Sequence, residues 1–488
     1  HLVRFETASF DQRRRAFRAE HHFGPDRIHS KPMNVLGLFA AYVTLFAAGL
    51  GVAMFCLRDS ARVNAIECAA LSWLFGAAVV SLLLWLGGIV FSGLVPQLFV
   101  TLACVVLGFI AWRIKKTNAI RFTLPRPSNR LEWILASLLA LELTTIFFVS
   151  LKHTLGWDGL FNWEIKARYA FLNSGALPQS YYSSPGRAFS HPEYPLAIPF
   201  TELWLYLWMG APHQFWIKTI FPLFYISGAL LLAMFITRLT GKRWLGLLIA
   251  FLMPFVPFMT ASPGGVTVGY ADIPLAVFYL TALGYLLLSS ESDSQQTIIL
   301  FGATLAFVPW VKSEGVILWS LLALLGLIVG FVQRRIRQFV FAILPGLLLI
   351  ISWRVYLKAM HTILPSDFAH PTFELLTHNL NRVGIIFRVL LAEASEPSHW
   401  SIFWLLAIVA IIYLVAAQRF SRLILAIGLL GPLALYLATY LFSAWPSYTA
   451  HITSSLPRLL LQLMPATWLG IGLALSQKRA ERKEQPLG

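Results

Sequence analysis

Charge and cysteine are both scarce in this chain. Only 12% of its 488 residues are Asp, Glu, Lys or Arg, against 58% hydrophobic, and the mean hydropathy is +0.70. So little charge cannot cover a water-soluble globule, so composition excludes that class and places the chain in a lipid bilayer. Cysteine is limited to Cys56, Cys68 and Cys104, each in or beside an apolar run. They show no metal spacing, which argues against a disulfide framework or a zinc centre, and they read as small core residues. Acids are scarcer still, 22 against 38 Lys and Arg, for a formal net charge of +16. Most of that surplus is loop arginine, which sets membrane orientation and gives no indication of nucleic-acid binding. In-out alternation is missing as well, which argues against a β-barrel and for helices.

Long apolar runs are what the sequence has in abundance. A helix needs roughly 20 residues to cross a ~30 Å hydrocarbon core. Runs of suitable length lie near 35–57, 66–90, 94–112, 132–151, 214–237, 244–261, 273–289, 297–311, 315–332, 339–357, 401–417, 422–442 and 458–476. The expected fold is therefore all-α and polytopic, with about 13 transmembrane helices. The apolar stretch from Tyr194 to Met209 carries Pro195, Pro199 and Glu202, which suits a partly buried surface helix better than a span.

Lys and Arg collect in alternate loops. They cluster at Arg113–Arg130, Arg238–Arg243, Arg334–Arg337, Arg419–Arg422 and Lys478–Lys483, which marks those loops as cytoplasmic. The opposite face then receives the segments 152–213, 262–272, 312–315, 358–400 and 443–457. Thirteen crossings place residues 1–34 on that face too, in conflict with their Arg13, Arg14, Arg15 and Arg18. An interfacial helix, a half-span and a disordered tail stay open for that basic segment.

Because charge is rare, its clusters mark candidate chemistry. The first is a polar island, Gly156–Tyr194, with Trp157-Asp158-Gly159, Trp163-Glu164-Ile165-Lys166-Ala167-Arg168 and His191-Pro192-Glu193-Tyr194. Asp158 beside an interfacial indole can deprotonate a hydroxyl or bind a divalent metal. Lys166 and Arg168 can grip a phosphate, although Glu164 and Arg168 are also spaced for a helix-face ion pair. Tyr181, Tyr182 and Ser183-Ser184-Pro185-Gly186 read as a mobile loop closing over a substrate. A second cluster, Gly264-Gly265 to Asp272, puts a carboxylate at the next loop, for chemistry or as a cap on the helix that follows. Lys312-Ser313-Glu314 interrupts two apolar runs and must pair internally or meet a ligand. His451 and Arg458 border the last span, where a guanidinium suits a lipid-borne phosphate. Arg354 is a weaker candidate of the same kind. His361, His370, His378 and His399 in the 358–400 loop lack metal spacing.

In their order along the chain, Trp157-Asp158-Gly159, Trp163 to Arg168, His191-Pro192-Glu193-Tyr194-Pro195-Leu196, Tyr270-Ala271-Asp272-Ile273-Pro274, Trp310 to Gly315 and Ser454 to Leu460 resemble the GT-C glycosyltransferases. The nearer resemblance is to bacterial relatives of the protein O-mannosyltransferases and lipid A aminoarabinose transferases, over roughly residues 131–476. It implies a GT-C-like fold and transfer of a sugar, with inversion, from a polyprenyl-phosphate donor to an extracytoplasmic glycan, lipid or protein. Asp158 would be the base, with Asp272 and Glu314 also catalytic. Lys166, Arg168, Lys312 and Arg458 would hold the donor phosphate. Trp157, Trp163, His191, Glu193, Tyr194 and His451 would contact substrate. Some members hold a divalent metal, for which His191, Glu193 and Asp272 are the residues to consider, without an evident ligand triplet. The location implied is a bacterial inner membrane with a periplasmic site. The expected division is a basic segment 1–34, an added three-helix region 35–130, a catalytic module 131–357 containing the loop 152–213, and C-terminal helices 358–488 containing the loop 358–400. The three spans of region 35–130, ahead of the span at 132–151, depart from the protein O-mannosyltransferases, which have one span before that loop. Two other readings remain: a polymer or O-antigen-type ligase, and a transporter, although no internal repeat is visible.

Overall fold

The computed structural model describes residues 34–260, 264–364 and 367–476; the basic segments at 1–33 and 477–488 lie outside them. Helices dominate, and β structure is limited to two three-residue parallel strands, β1 (Arg62–Asn64) and β2 (Arg121–Thr123), and one isolated bridge. In chain order the main helices are α1 (Val35–Cys56), α2 (Ala65–Val90), α3 (Val95–Thr117), α4 (Arg130–Lys152), α5 (Ile165–Leu172), α6 (Ala197–Met209), α7 (Ile220–Thr240) and α8 (Arg243–Leu252). They continue with α9 (Asp272–Glu291), α10 (Gln295–Val311), α11 (Gly315–Val332), α12 (Ile336–Ala359), α13 (Val383–Ala394), α14 (Phe403–Ala416), α15 (Phe420–Thr439) and α16 (Tyr448–Leu475).

Among the described residues ten helices are long and apolar enough to cross a membrane, which makes this a multi-pass membrane protein. Three of the predicted runs form shorter apolar helices: Arg243–Phe255, Gln295–Val311 and Phe403–Ala416. The first stops early because Pro254 and Pro257 interrupt it, leaving a 3-10 turn and a four-residue helix. At 1.5 Å per residue, α14 is only about 21 Å long. The last helix instead starts ten residues before its predicted boundary. Ser447 caps it by accepting from the Ala450 amide at 3.2 Å, and Pro457 and Pro465 are accommodated inside.

Helix ends follow local chemistry. Asn34, Asn64 and Asn129 each accept a first-turn amide, and Gly210 and Gly241 close α6 and α7 in the left-handed region that a Cβ disfavours. At the centre, α9 is apolar all round and 89% buried over its core window, against 22% for α3, α4 and α12, whose exposed Leu, Ile and Phe face lipid. Small residues permit the central contacts: a Cβ at Gly284 would strike the Phe235 ring at 2.6 Å, and one at Gly472 would strike Ile236 at 2.6 Å.

The loops separated by charge lie at opposite ends of the bundle. At the basic end, Arg238 pairs with buried Glu67, Arg243 pairs with Glu132 at 3.5 Å, and Lys242 donates to the Ser476 carbonyl at 2.8 Å. At the other end, the Gly156 amide donates to Val268 O at 2.8 Å, Ile363 N to Tyr182 O at 3.0 Å, and Ala444 N to Asp367 O at 2.9 Å. The island, the 264–272 loop, the 358–400 loop and the segment before α16 therefore close over one another.

Two expectations are corrected here. The Tyr194–Met209 stretch does not form a partly buried surface helix: most of α6 is buried among α1, α2 and α5, with Thr201 donating to Ala197 O and Trp204 to Ala41 O. Nor do Tyr181 and Tyr182 belong to a loose lid, although Pro185 and Gly186 beyond them are exposed. Tyr181 and Tyr182 are fully buried, the Tyr181 hydroxyl meets Ser190 Oγ at 2.8 Å, and the Arg187 guanidinium lies over the Tyr169 and Tyr181 rings. In the Tyr194–Met209 stretch apolar and aromatic side chains outnumber polar ones, so burial takes precedence over the breaker signal of its prolines; in Tyr181–Gly186 burial holds the two tyrosines while Pro185 and Gly186 stay exposed.

Glu202 is the anomaly of α6. It is fully buried, and neither carboxylate oxygen has a hydrogen-bond partner among the described residues. Burial, reinforced by nearby Glu164, pushes its carboxyl well above the usual range. Replacing an unsatisfied polar group by an apolar one of similar volume removes a desolvation cost of about 1–3 kcal/mol. Glu202→Met is therefore expected to raise the thermal midpoint of the detergent-solubilised protein, and a lowered midpoint would show that Glu202 has a stabilising partner.

Candidate functional site

Five charged side chains from four separate segments form a continuous chain at the island end. Asp272, the first residue of α9, is fully buried. Its Oδ1 accepts from Lys312 Nζ at 2.9 Å and from Gln462 Nε2 at 2.6 Å. Its Oδ2 accepts from Arg458 Nε at 3.1 Å and Nη2 at 2.8 Å. Arg458 Nη2 also lies 2.6 Å from Asp158 Oδ2, and Lys312 Nζ lies 2.7 Å from Glu314 Oε1. The order is Asp158, Arg458, Asp272, Lys312, Glu314, alternating in sign throughout.

Local sequence explains each placement. Asp158 precedes a turn of π-helix, Gly159–Glu164, that leans on the 264–270 loop. A Cβ at Gly159 would meet Val268 O at 2.8 Å, and one at Gly156 would meet the Tyr270 ring at 2.6 Å, so these glycines let the two loops close. Tyr270 in turn lies under the Arg458 guanidinium, 4.8 Å from ring centroid to Cζ. Gly264, at φ +96, brings its backbone beside Arg458 and Asp272. Lys312 and Glu314 occupy the tight turn between α10 and α11, and Arg458 and Gln462 sit one turn apart on α16. Tyr436 on α15 donates to Gln462 Oε1 at 2.8 Å, fixing the amide so that its nitrogen faces Asp272. Asp272 and Lys312 make a dry floor at 0% and 4% side-chain exposure, while Asp158, Arg458 and Glu314 reach the rim at 13%, 21% and 22%.

The candidates do not all join this chain. Lys166 is fully buried and donates to the His191 carbonyl at 2.7 Å, near the faces of Trp163 and Tyr194. Burial lowers its ammonium to about 7, against the raising influence of Glu193 and Asp158. It supports the left-handed turn at His191 (φ 46) instead of facing a ligand. Trp163, Tyr194 and His191 form a three-ring stack, with centroid spacings of 5.6 and 4.7 Å, so Trp163 is wall and not contact surface. Arg168 pairs with Glu164 at 2.8 Å, the helix-face pair its spacing allowed, and Tyr206 donates to the same carboxylate at 2.8 Å. Trp157 is half-exposed and packs on Phe161 at 4.4 Å. His451 meets Ser443 Oγ at 2.8 Å and stacks on Trp445 at 4.6 Å, bracing the segment before α16. Asp272 does not cap its helix, because both its oxygens face side chains.

A metal does not fit the residues considered for it. Among the described residues no group of three or more His, Cys, Asp or Glu has the geometry to hold one. Asp272 is saturated by cations and the Gln462 amide, and His191 Nδ1 meets only Glu193 Oε1, at 3.1 Å. In the 358–400 loop, His399 and Trp400 meet Glu393 Oε1 at 2.8 Å each, around a cavity of about 480 Å3 that also involves Glu396, Thr453 and Pro457. Gln462, Tyr436 and Tyr270 were not among the sequence candidates. A lone amide in the apolar run Leu459-Leu460-Leu461-Gln462-Leu463, one turn after Arg458, was the readable signal for the first.

Comparison with protein-family models, with curated proteins and with solved structures finds no match for this chain.

Lys166 makes the island sensitive to pH. With its folded value near 7 and an ordinary value of 10.5, the unfolded chain binds the extra proton across that window, so stability rises with pH from about 7 to 10.5. Thermal midpoints measured over this range should climb for the wild type and climb less for Lys166→Met. Equal slopes would contradict the placement of the amine.

Proposed function

We propose that the protein is a membrane glycosyltransferase of GT-C type, moving one sugar from a polyprenyl-phosphate donor to a hydroxyl of a glycan, lipid or protein outside the cytoplasm. In this reading the three shorter apolar helices also cross, giving about thirteen spans. The basic loop end faces the cytoplasm, and the charged chain opens on the periplasmic side of a bacterial inner membrane. The observation that carries the reading is the meeting of Asp158, Arg458, Asp272, Lys312 and Glu314 at one end of the bundle, from segments far apart in sequence. Buried and half-buried charges in a chain this apolar are costly, and their convergence at one place, with Asp158, Arg458 and Glu314 partly exposed, suits a reacting centre better than structural pairing scattered among helices.

The proposed chemistry is a single displacement. The acceptor oxygen attacks the anomeric carbon as its proton passes to Asp158, the carbon–oxygen bond to the phosphate breaks with its electron pair leaving on the phosphate, and the configuration inverts. Asp158 is partly exposed, and Arg458 fixes its orientation. Negative charge grows on the departing phosphate, and Arg458, at the rim, is the cation positioned to share itself between Asp158 and that oxygen. Asp272, Lys312 and Gln462 act behind it as positioning residues, holding the guanidinium from the floor. Charge bookkeeping refines the expectation for Lys312. Three carboxylates against two cations leave the chain at minus one, so Lys312, between Asp272 and Glu314, serves the network more than a ligand.

The test is release of free polyprenyl phosphate from a panel of polyprenyl-phosphate sugars by the purified protein, with membrane lipid extract as acceptor. Asp158→Asn is expected to reduce release by at least about a hundredfold, the scale of a lost general base, while the variant still unfolds in a cooperative thermal transition. Release that is unaffected by Asp158→Asn, or absent from the folded wild type with every donor, would contradict the reading.

A further inference from the structure

The cations of the charged chain are matched by carboxylates, but two cations at the same end of the bundle are not. Arg354 and Lys358 lie one turn apart near the end of α12, and neither side chain forms an ion pair or hydrogen bond within the described residues. They line an open cavity of about 440 Å3 together with Leu357, His361, Thr362 and Leu364, and among the described residues no carboxylate contributes to its wall. Gln179 Nε2 and His361 Nδ1 lie 2.9 Å apart, which holds the imidazole at the cavity wall. The cavity lies at the island end, because Ile363 N donates to Tyr182 O at 3.0 Å and Trp353 Nε1 to Glu193 O at 3.0 Å.

Below the cavity the same helix face is bare and apolar. Leu348 and Ile351 are 54% and 50% exposed on the turns before Arg354, and Val355, 62% exposed, sits level with it, on the face that carries Arg354 and Lys358. Arg354 and Lys358 are exposed in the last turns of the helix, where long basic side chains reach the headgroup level and an anion there is their complementary partner. A phosphate linked to a hydrocarbon chain matches both halves: oxygens for the guanidinium and ammonium above, and a tail for the stripe beneath. Arg354 also lines a smaller inner cavity with Glu193, Trp310, Ser313 and Trp353, and Ser313 lies between Lys312 and Glu314 in the chain. An anion on Arg354 would therefore stand between lipid and the charged centre.

We infer that Arg354, Lys358 and His361 form a binding site for the phosphate of a membrane lipid, with its chain along α12. This holds whether or not the protein transfers sugar, and its readout is binding alone. Wild type and variants, purified in detergent, are titrated separately with a polyprenyl phosphate, with phosphatidylglycerol and with inorganic phosphate, and bound ligand is counted by native mass spectrometry.

At least one lipid is expected to bind one-to-one. Its affinity should fall about tenfold or more in the double variant Arg354→Gln with Lys358→Gln, as for two lost cations at a membrane surface, and should recover in the charge-preserving pair Arg354→Lys with Lys358→Arg. Both side chains are unpartnered, so neither change disturbs a packed contact. Preference for the polyprenyl phosphate identifies a carrier lipid; preference for phosphatidylglycerol identifies a bilayer lipid. Inorganic phosphate bound as tightly as either lipid would overturn the role of the chain. Undiminished lipid binding by the neutral double variant, or an equal loss in Arg388→Gln on α13, would overturn the site.

Discussion

A buried carboxylate in an apolar helix bundle must be met by cations and hydrogen-bond donors, and Asp272 imposes that condition on the whole island end. Fully removed from solvent at the first turn of α9, it draws Lys312 from the α10–α11 turn, Gln462 and Arg458 from α16, and through Arg458 it holds Asp158 of the island. An unpaired charge at that depth costs several kcal/mol, far more than a surface pair contributes. The arrangement therefore specifies which loops meet, and in what register, more than it adds to net stability.

Packing supplies the precision that charge alone lacks. Gly156 and Gly159 let the island approach the 264–270 loop at backbone distance, Tyr270 supports the guanidinium from below, and Tyr436 sets the Gln462 amide. Behind the island, α6 is inserted among α1 and α2, and Lys166 ties the His191 turn to α5. The N-terminal helices thereby share one continuous apolar core with the rest of the bundle.

Much of this was readable in the sequence. Continuous apolar runs gave the helical membrane body, loop arginines sorted the two ends, and the scarcity of acids singled out Asp158, Asp272 and Glu314 before any geometry was known. What could not be read is which rare charges satisfy each other. Arg168 and Glu164 were spaced for a pair and formed it, whereas Lys312, spaced to pair with Glu314, pairs with Asp272 as well. Lys166 looked like a phosphate ligand, yet it turns inward under Trp163 and Tyr194, because helix periodicity does not tell which face of a short island helix is covered. The prolines and the acid of the Tyr194–Met209 stretch suggested a surface, but eleven positions of α6 are buried. Tertiary packing there outweighs local signals. The ten-residue extension of α16 lies in the polar stretch Tyr448–Pro457, outside the apolar run at 458–476, and the helix accommodates Pro457 inside it.

The account rests on Arg458 joining Asp158 to Asp272 in one site. A double-mutant cycle in thermal stability, using Asp158→Asn, Arg458→Gln and the pair, isolates that contact from the separate cost of exposing Asp272. Residues in one ion-pair network couple by about 0.5–3 kcal/mol, so the double variant should be less destabilised than the sum of the singles by an amount in that range. Effects that add within about 0.3 kcal/mol, as for independent sites, would show that Asp158 and Arg458 do not meet and would contradict the account.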